Sequence, residues 1–287
     1  MQLYNPRMLF EVVAIVGVGL IGGSVGLAVR ARQVARQVIG IDRDTRILTQ
    51  AIEFGAIDSG TTQLVIGTQD ASLVVFCTPV DRIAAGILEL ASHGRSGLLI
   101  TDVGSTKGNI IAAVRGQLPD TVDYVPAHPL AGSEKTGVDS GHADLFENRV
   151  TVLTPLPGNR RSAIQRVRDF WEALGSRVIE LPPADHDPAV AVTSHLPHAV
   201  ASAVAGVTPL DWLTLTAGGF RDVTRIAAAS PELWAGIFLA NRDQVLSALN
   251  RFTQRLSIFH QLLEARDEVG LIKWLTEGKQ VRDALGN

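Results

Sequence analysis

An α/β chain, with a doubly wound parallel sheet followed by an all-helical domain, is what this sequence predicts, and three observations predict it. Short β-rich runs alternate with helical stretches up to about residue 180: VVAIV, VIGID, ASLVVFC, GLLITD, VDYVPA and RVTVLTP. Between the first run and its helix lies GVGLIG, where Gly17, Gly19 and Gly22 have the G-x-G-x-x-G spacing of a tight strand-to-helix turn over a pyrophosphate. Beyond SRVIELPPADHDP, punctuated by Pro182, Pro183 and Pro188, the chain becomes Ala- and Leu-rich with helical periodicity, as in AVAVTSHLPHAVASAVAG and WAGIFLANRDQVLSALNRFTQRLSIFHQLLEA. The expected division is a Rossmann-type dinucleotide-binding domain over 1–182 and a helical domain over 183–287. So much apolar helix surface in so small a domain leads us to expect a homodimer formed through it.

The first element has a rival reading. Val12 to Val29 is eighteen residues without a charge, the length of a membrane span, and Gly19/Gly23 and Gly22/Gly26 have the G-x-x-x-G spacing of packed membrane helices. The strand, turn, helix order favours the dinucleotide site, as does VIGID, whose Asp42 falls twenty residues past Gly22, where a carboxylate accepts from a ribose. Five glycines weaken a lipid helix, and no cleavage site marks a secretory signal. Gly17, Gly19, Leu20, Ile21 and Gly22 are therefore the expected phosphate cradle. Asp42 favours NAD by repelling a 2′-phosphate, while Arg43 beside it keeps NADP open.

A chain of 287 residues, 46% hydrophobic and 19% charged, is long enough for two domains and too apolar for disorder. A net charge of −3 without a basic run offers nothing to nucleic acid, so the expected partners are a small-molecule substrate and a second copy. The single cysteine, Cys77, excludes an intrachain disulfide and fits a reducing compartment, with cytoplasm the default; no Cys/His spacing suggests a metal.

In an open parallel sheet the ligand lies beyond the carboxyl ends of the strands. After VVFC come Thr78 and Pro79, either a simple turn or a ribose-facing segment. After GLLITD come Ser105 and Thr106, placed to cap the next helix or to meet a ligand, and Lys107, a surface charge or an anchor for an anionic substrate. After VDYVPA comes His128, which Pro129 pushes towards extended geometry at a strand end, with a pKa near neutrality suited to removing a hydroxyl proton. Farther on, His195 and His198 lie three apart, as core histidines or ligand groups, and Arg221 and Arg225 follow a glycine pair, as ion-pair partners or as forks for a carboxylate. Ser230-Pro231-Glu232 reads as a helix start, placing Trp234 one turn in, as core or as the wall of a pocket for a flat ring.

Taken in order, GVGLIGGS, CTPV, TDVGSTKG, AHPLAGSEKTG, HDPAVAVTSHLPH, GFRDVTRIA and the tryptophan nine residues after Arg225 resemble the prephenate and arogenate dehydrogenases of tyrosine biosynthesis over nearly the whole chain. The resemblance implies a dinucleotide-binding domain followed by a helical dimerisation domain, and an oxidative decarboxylation that turns a cyclohexadienol into a phenol. It also implies residue roles. His128 bonds the ring hydroxyl and assists removal of its proton, and Ser105 touches that hydroxyl and the nicotinamide. Arg225 clamps a substrate carboxylate, His195 and Trp234 shape the side-chain end, Arg221 contributes from the same or the partner subunit, and Glu134 pairs with the arginine and gates the pocket. Prephenate with NAD is the favoured pair, arogenate the rival substrate, and no appended regulatory domain is expected after residue 287. The β-hydroxyacid dehydrogenases share the plan but use a lysine of the helical domain, and this chain has none between Lys135 and Lys273. A nucleotide sensor without catalysis and a membrane-anchored protein are the alternatives of other classes.

Overall fold

A computed structural model describes residues 8–93, 96–133 and 135–286. Nine strands and twelve α-helices are described: β1 (Phe10–Val16), α1 (Leu20–Ala31), β2 (Ala35–Ile41), α2 (Thr45–Glu53), β3 (Ser59–Thr61), α3 (Leu64–Thr68), β4 (Leu73–Phe76), α4 (Val80–Ser92), β5 (Leu98–Asp102), α5 (Gly108–Val114), β6 (Val122–Tyr124), β7 (Ala127–Pro129), β8 (Val150–Leu153), α6 (Arg161–Ala173), β9 (Arg177–Glu180), α7 (Pro183–Val190), α8 (Leu196–Gly206), α9 (Gly218–Thr224), α10 (Pro231–Ala240), α11 (Arg242–Glu264) and α12 (Glu268–Ala284). The first six strands form one sheet in the order β3-β2-β1-β4-β5-β6, every pair parallel. The order reverses between β1 and β4, which makes the crevice beyond their carboxyl ends the switch point of a Rossmann-type fold.

The alternation of side chains along each strand builds a core on either face. Val13, Ile15, Val38, Leu73, Val75 and Leu99 meet Val25 and Val29 of α1 and Phe170 and Trp171 of α6. Ala14, Val16, Val74, Phe76 and Ile100 point the other way, onto Ile83 and Ile87 of α4 and Ile110 of α5. Each such aliphatic side chain contributes roughly 1.5–3 kcal/mol on burial. The uncharged stretch from Val12 to Val29 is thus a buried strand, a turn and a helix, and among the described residues no helix is long and apolar enough to cross a membrane.

Two sequence readings need correction. RVTVLTP does not extend the parallel sheet: β8 lies in a second sheet, β7-β8-β9, antiparallel to β7 and parallel to β9. Pro126 and Pro129 bracket the change, since neither has an N–H for a ladder, and the chain leaves the large sheet between them carrying His128. The apolar stretch from Trp234 to Ala265 is also interrupted. It divides at Asn241, which ends α10 before α11 begins.

The chain resolves into two compact units, 1–241 and 242–287. The first holds both sheets and the helices up to α10. The second is the pair α11 and α12, joined through a turn at Ala265–Arg266 and held by Arg255, which bonds Glu277 at 2.9 Å and lies over the Trp274 ring.

Candidate active site

The glycine loop is built for close approach. Gly17 has φ +90°, and a Cβ there would fall 2.9 Å from the backbone of Cys77 and Thr78, so the turns after β1 and β4 touch. A Cβ on Gly22 would lie 2.0 Å from the Gly17 carbonyl oxygen, which lets α1 start directly against the turn. Gly19, by contrast, faces open space at the N-cap of α1, where no side chain caps the helix and its first turn has no acidic residue. The first-turn N–H groups of α1 at Leu20 and Ile21, the dipole and the room beside Gly19 fit a pyrophosphate. Asp42 follows β2, and its carboxylate accepts from the N–H groups of Val18 and Asp44, both at 3.1 Å, tying it to the loop; Arg43 is exposed. Across the crevice, Pro79 stands at the N-cap of α4, and the buried Thr78 hydroxyl has no partner among the described residues, an orphan that a cofactor would satisfy.

Beyond β5 the structure departs from the sequence reading. Neither Ser105 nor Thr106 caps α5. Asp187 of α7 does, accepting from the Lys107 and Gly108 N–H groups, both at 2.8 Å. Ser105 is therefore left half-buried, its hydroxyl without a partner among the described residues, and the Thr106 hydroxyl is buried and likewise unpartnered among them. Lys107 is neither a surface charge nor a free cation: it is fully buried and ion-paired to Asp102, which is also fully buried. Burial pulls the Lys107 ammonium's pKa down, and the Asp102 carboxylate pulls it back up. Asp102 further accepts from the Tyr124 hydroxyl at 2.9 Å and from the Gly104 and Ala127 N–H groups.

His128 stands on β7, next to Ala127 and 8% exposed. Burial, then the electrostatic influence of His186, Lys107 and His195 against a second positive group, pushes its pKa well below the ordinary value, so the ring is neutral near pH 7. His128 Nδ1 lies 3.0 Å from His186 Nε2, and His186 Nδ1 lies 2.7 Å from Asp187 Oδ1. His128 is thus a buried proton acceptor, linked by three successive hydrogen bonds through His186 and Asp187 to the Lys107 N–H in the turn after Ser105.

The helical residues supply another wall. A π turn, Ala191–His195, joins α7 to α8, with Leu196 N–H reaching five residues back to Ala191. Such turns are frequent at functional sites. His195 is 1% exposed, and burial lowers its pKa to about 4. The Asn241 amide donates to the Asp187 carbonyl at 2.9 Å and meets His195 Nδ1 at 3.2 Å. With Nδ1 accepting, a neutral His195 carries its hydrogen on Nε2. His198 stacks on Trp234 with centroids 3.4 Å apart, and His195 meets the same indole edge-on at 6.0 Å. Ser230 does cap α10, accepting from Leu233 N–H at 3.2 Å. Arg221 on α9 and Arg225 at the start of a 3-10 turn are exposed and, among the described residues, form no ion pair; the charge of Arg225 reaches His198. Glu134 lies outside the described residues.

The sequence reading missed His186, Asp187 and Asn241. Only the adjacency of an imidazole and a carboxylate in HDP hinted at the first two, and the helix break at Asn241 became visible only in the fold.

Moving a hydride from a carbinol calls for a phosphate cradle and, within reach of it, a group able to take the hydroxyl proton. The crevice of this chain offers both, which places it among the nucleotide-dependent oxidoreductases. Comparison with known proteins narrows the class. Residues 25–180 match the family model "Prephenate dehydrogenase, nucleotide-binding domain", and residues 182–277 match "Prephenate dehydrogenase, dimerization domain". Prephenate dehydrogenase of Bacillus subtilis is 34% identical over 96% of this chain and 76% of its own length. The crystal structure of prephenate dehydrogenase from Aquifex aeolicus with hydroxyphenyl propionate and NAD+ superposes with a TM-score of 0.87 at 31% identity, over 96% of this chain and 98% of the other. Arogenate dehydrogenase of Synechocystis superposes with a TM-score of 0.79 at 29% identity, over 96% and 100%. The chain belongs to the prephenate dehydrogenase family.

Proposed function

We propose that this enzyme oxidatively decarboxylates prephenate to 4-hydroxyphenylpyruvate with NAD, and that His128 is its base. What supports this reading is the neutral, buried imidazole of His128 on β7, next to Ala127, whose N–H bonds Asp102 at the carboxyl end of β5 in the sheet that carries the glycine turn. NAD, when bound, would supply the acceptor for the carbinol hydride. Gly17, Gly19, Leu20, Ile21 and Gly22 would hold its pyrophosphate, Asp42 its ribose, and Thr78 and Pro79 the edge of the crevice opposite. His128 takes the ring hydroxyl's proton as the hydride leaves, and Ser105, freed from capping, hydrogen-bonds the same oxygen. Arg225 pairs with a substrate carboxylate, with Arg221 as a second cation, while His195 donates from Nε2 and Trp234 walls the side-chain end. Glu134 would pair with the arginine and gate the pocket.

Prephenate is favoured over arogenate by the residues around Trp234. Its ring contacts are His195, His198 and Phe238, and an ammonium group would find no carboxylate among them. The likeness to an arogenate dehydrogenase supports the second reading, the same chemistry on the amino analogue. Pairing of two copies through the helical residues is supported by the dimerization-domain match and by Val207, Leu210 and Leu239, each more than 70% exposed. The domain division near residue 182 and a cytoplasmic location complete the reading.

The test is turnover with prephenate or arogenate against NAD or NADP, followed by reduced nicotinamide, in wild type and His128→Asn. Prephenate with NAD is expected to dominate, and the variant to lose about 10²-fold or more in kcat while binding NAD as before. Activity only with arogenate would overturn the substrate; undiminished turnover by the variant would overturn the role of His128.

A further inference from the structure

The functional reading leaves two buried groups without a task, His186 and Asp187, consecutive residues of α7 behind His128. Their hydrogen bonds fix the protons one after another. Burial raises the Asp187 pKa, but the bonds from His186, Lys107 N–H and Gly108 N–H outweigh it and hold the carboxyl below its usual range. An ionised carboxylate only accepts, so the 2.7 Å contact requires a hydrogen on His186 Nδ1. With that as the one ring hydrogen of His186, its Nε2 is an acceptor, and the 3.0 Å contact then puts a hydrogen on His128 Nδ1. That leaves His128 Nε2 bare, with its lone pair free for a substrate hydroxyl.

We infer that His186 and Asp187 are positioning residues for the base: they fix His128 in the Nδ1–H tautomer and receive the positive charge when its Nε2 takes the substrate's proton. The inference rests on reading His128 as the base.

The proton balance suits a buried relay. As the hydroxyl O–H bond breaks, its proton bonds to His128 Nε2. The Nδ1 proton of His128 passes to His186 Nε2, so the imidazolium comes to rest on His186, against the Asp187 carboxylate. The O–H electron pair forms the carbonyl as the carbinol hydride departs. When carbon dioxide leaves, the electron pair of the broken C–C bond aromatises the ring and returns to that oxygen, which recovers the proton along the same path as a phenol. No net proton is released, so a relay that ends inside the protein is sufficient. The charged neighbours work in one direction: Lys107 repels an imidazolium on His128, and Asp187 lies on the side towards His186.

The first measurement is 15N spectroscopy of the full chain labelled at histidine, with and without NAD, the His128 signals being assigned by their loss in His128→Asn. A protonated Nδ1 and a bare Nε2 on His128 are expected. An Nε2–H tautomer would overturn the inference, and this arm needs no variant of His186 to fold. His186→Leu removes the acceptor, and we expect it to return His128 to Nε2–H and to lower kcat about 100-fold with NAD affinity unchanged. His186→Gln, with an oxygen to accept from His128 and an amide to face Asp187, is expected to keep the tautomer and recover about tenfold of that loss. Wild-type kcat and pH profile in His186→Leu would refute the relay alone, whereas full turnover in His128→Asn removes the base on which it rests. The two failures are thereby told apart.

Discussion

Asp102→Asn is the sharpest test of how the floor of the crevice is held. Four donors converge on the two carboxylate oxygens: Lys107 and Gly104 N–H on Oδ2, the Tyr124 hydroxyl and Ala127 N–H on Oδ1. An amide keeps the shape but turns an NH2 group towards one of those pairs whichever way it flips, and it leaves the Lys107 ammonium without its counter-charge at zero exposure. Breaking a buried ion pair from one side costs about 3–5 kcal/mol. Taking about 4 kcal/mol and an m-value of about 3 kcal/mol/M, the urea midpoint should fall by roughly 1.3 M. Lys107→Met in the Asp102→Asn background removes the stranded charge and should recover about 2 kcal/mol, read as a double-mutant cycle. The sign with pH is also fixed. In Asp102→Asn the folded Lys107 pKa drops further below its unfolded value, so the penalty is full at neutral pH and shrinks as pH rises towards that of free lysine, about 10.4. The assay is urea unfolding followed by far-UV circular dichroism at pH 7 and pH 9.5. A midpoint shift below about 0.3 M, or a double variant as unstable as the two single losses added, would falsify the account of Lys107 as a structural cation.

Two further outcomes follow from the same geometry. Gly22→Ala places a methyl 2.0 Å from the Gly17 carbonyl oxygen, so the loop must move by about an ångström, and the NAD dissociation constant measured by calorimetry should rise at least about tenfold; unchanged binding would contradict the close packing of α1 on the turn. The depressed histidines set an acid limit: His195 has a folded pKa of about 4 against 6.5 unfolded, so its stabilisation is full above about 6.5 and is lost as pH falls from there to about 4, while His128 keeps its base form below 6.5. The acid limb of kcat/KM should therefore lie below pH 6.5, and a midpoint at or above that value would contradict a buried, neutral base.

What the sequence revealed and what it hid differ in range. The glycine spacing, the Asp42 position and the Ser230 cap are local patterns, each settled within a turn or a strand of its neighbours: the structure has a close-packed turn after β1, Asp42 just after β2 and Ser230 capping α10. The reading of Ser105 and Thr106 as caps failed because the actual cap, Asp187, is eighty residues from Lys107 in sequence. Lys107 looked like a surface charge for a similar reason: nothing in VGSTKG shows that Asp102, five residues earlier on a strand end, will bury with it. His186 has no periodic or spacing signature at all, and its task appears only when β7 brings His128 within 3.0 Å. RVTVLTP is as β-rich as the parallel strands. Which sheet it joins depends on where the two prolines release the chain.

Asp187 ties together parts that are separate along the chain. One carboxylate grips the start of α5, which follows the Ser105 turn, and through His186 sets the angle of the His128 ring, while its own carbonyl receives Asn241 at the end of α10. Hydrogen bonds of 2.7–2.9 Å leave only a few tenths of an ångström of slack before they weaken. A substitution on the far side of α5, α7 or α10 that shifts any of these helices therefore reaches the base without touching a ligand. Turnover in this enzyme acts as a gauge of how the helices are seated, and selection for rate is at the same time selection for assembly.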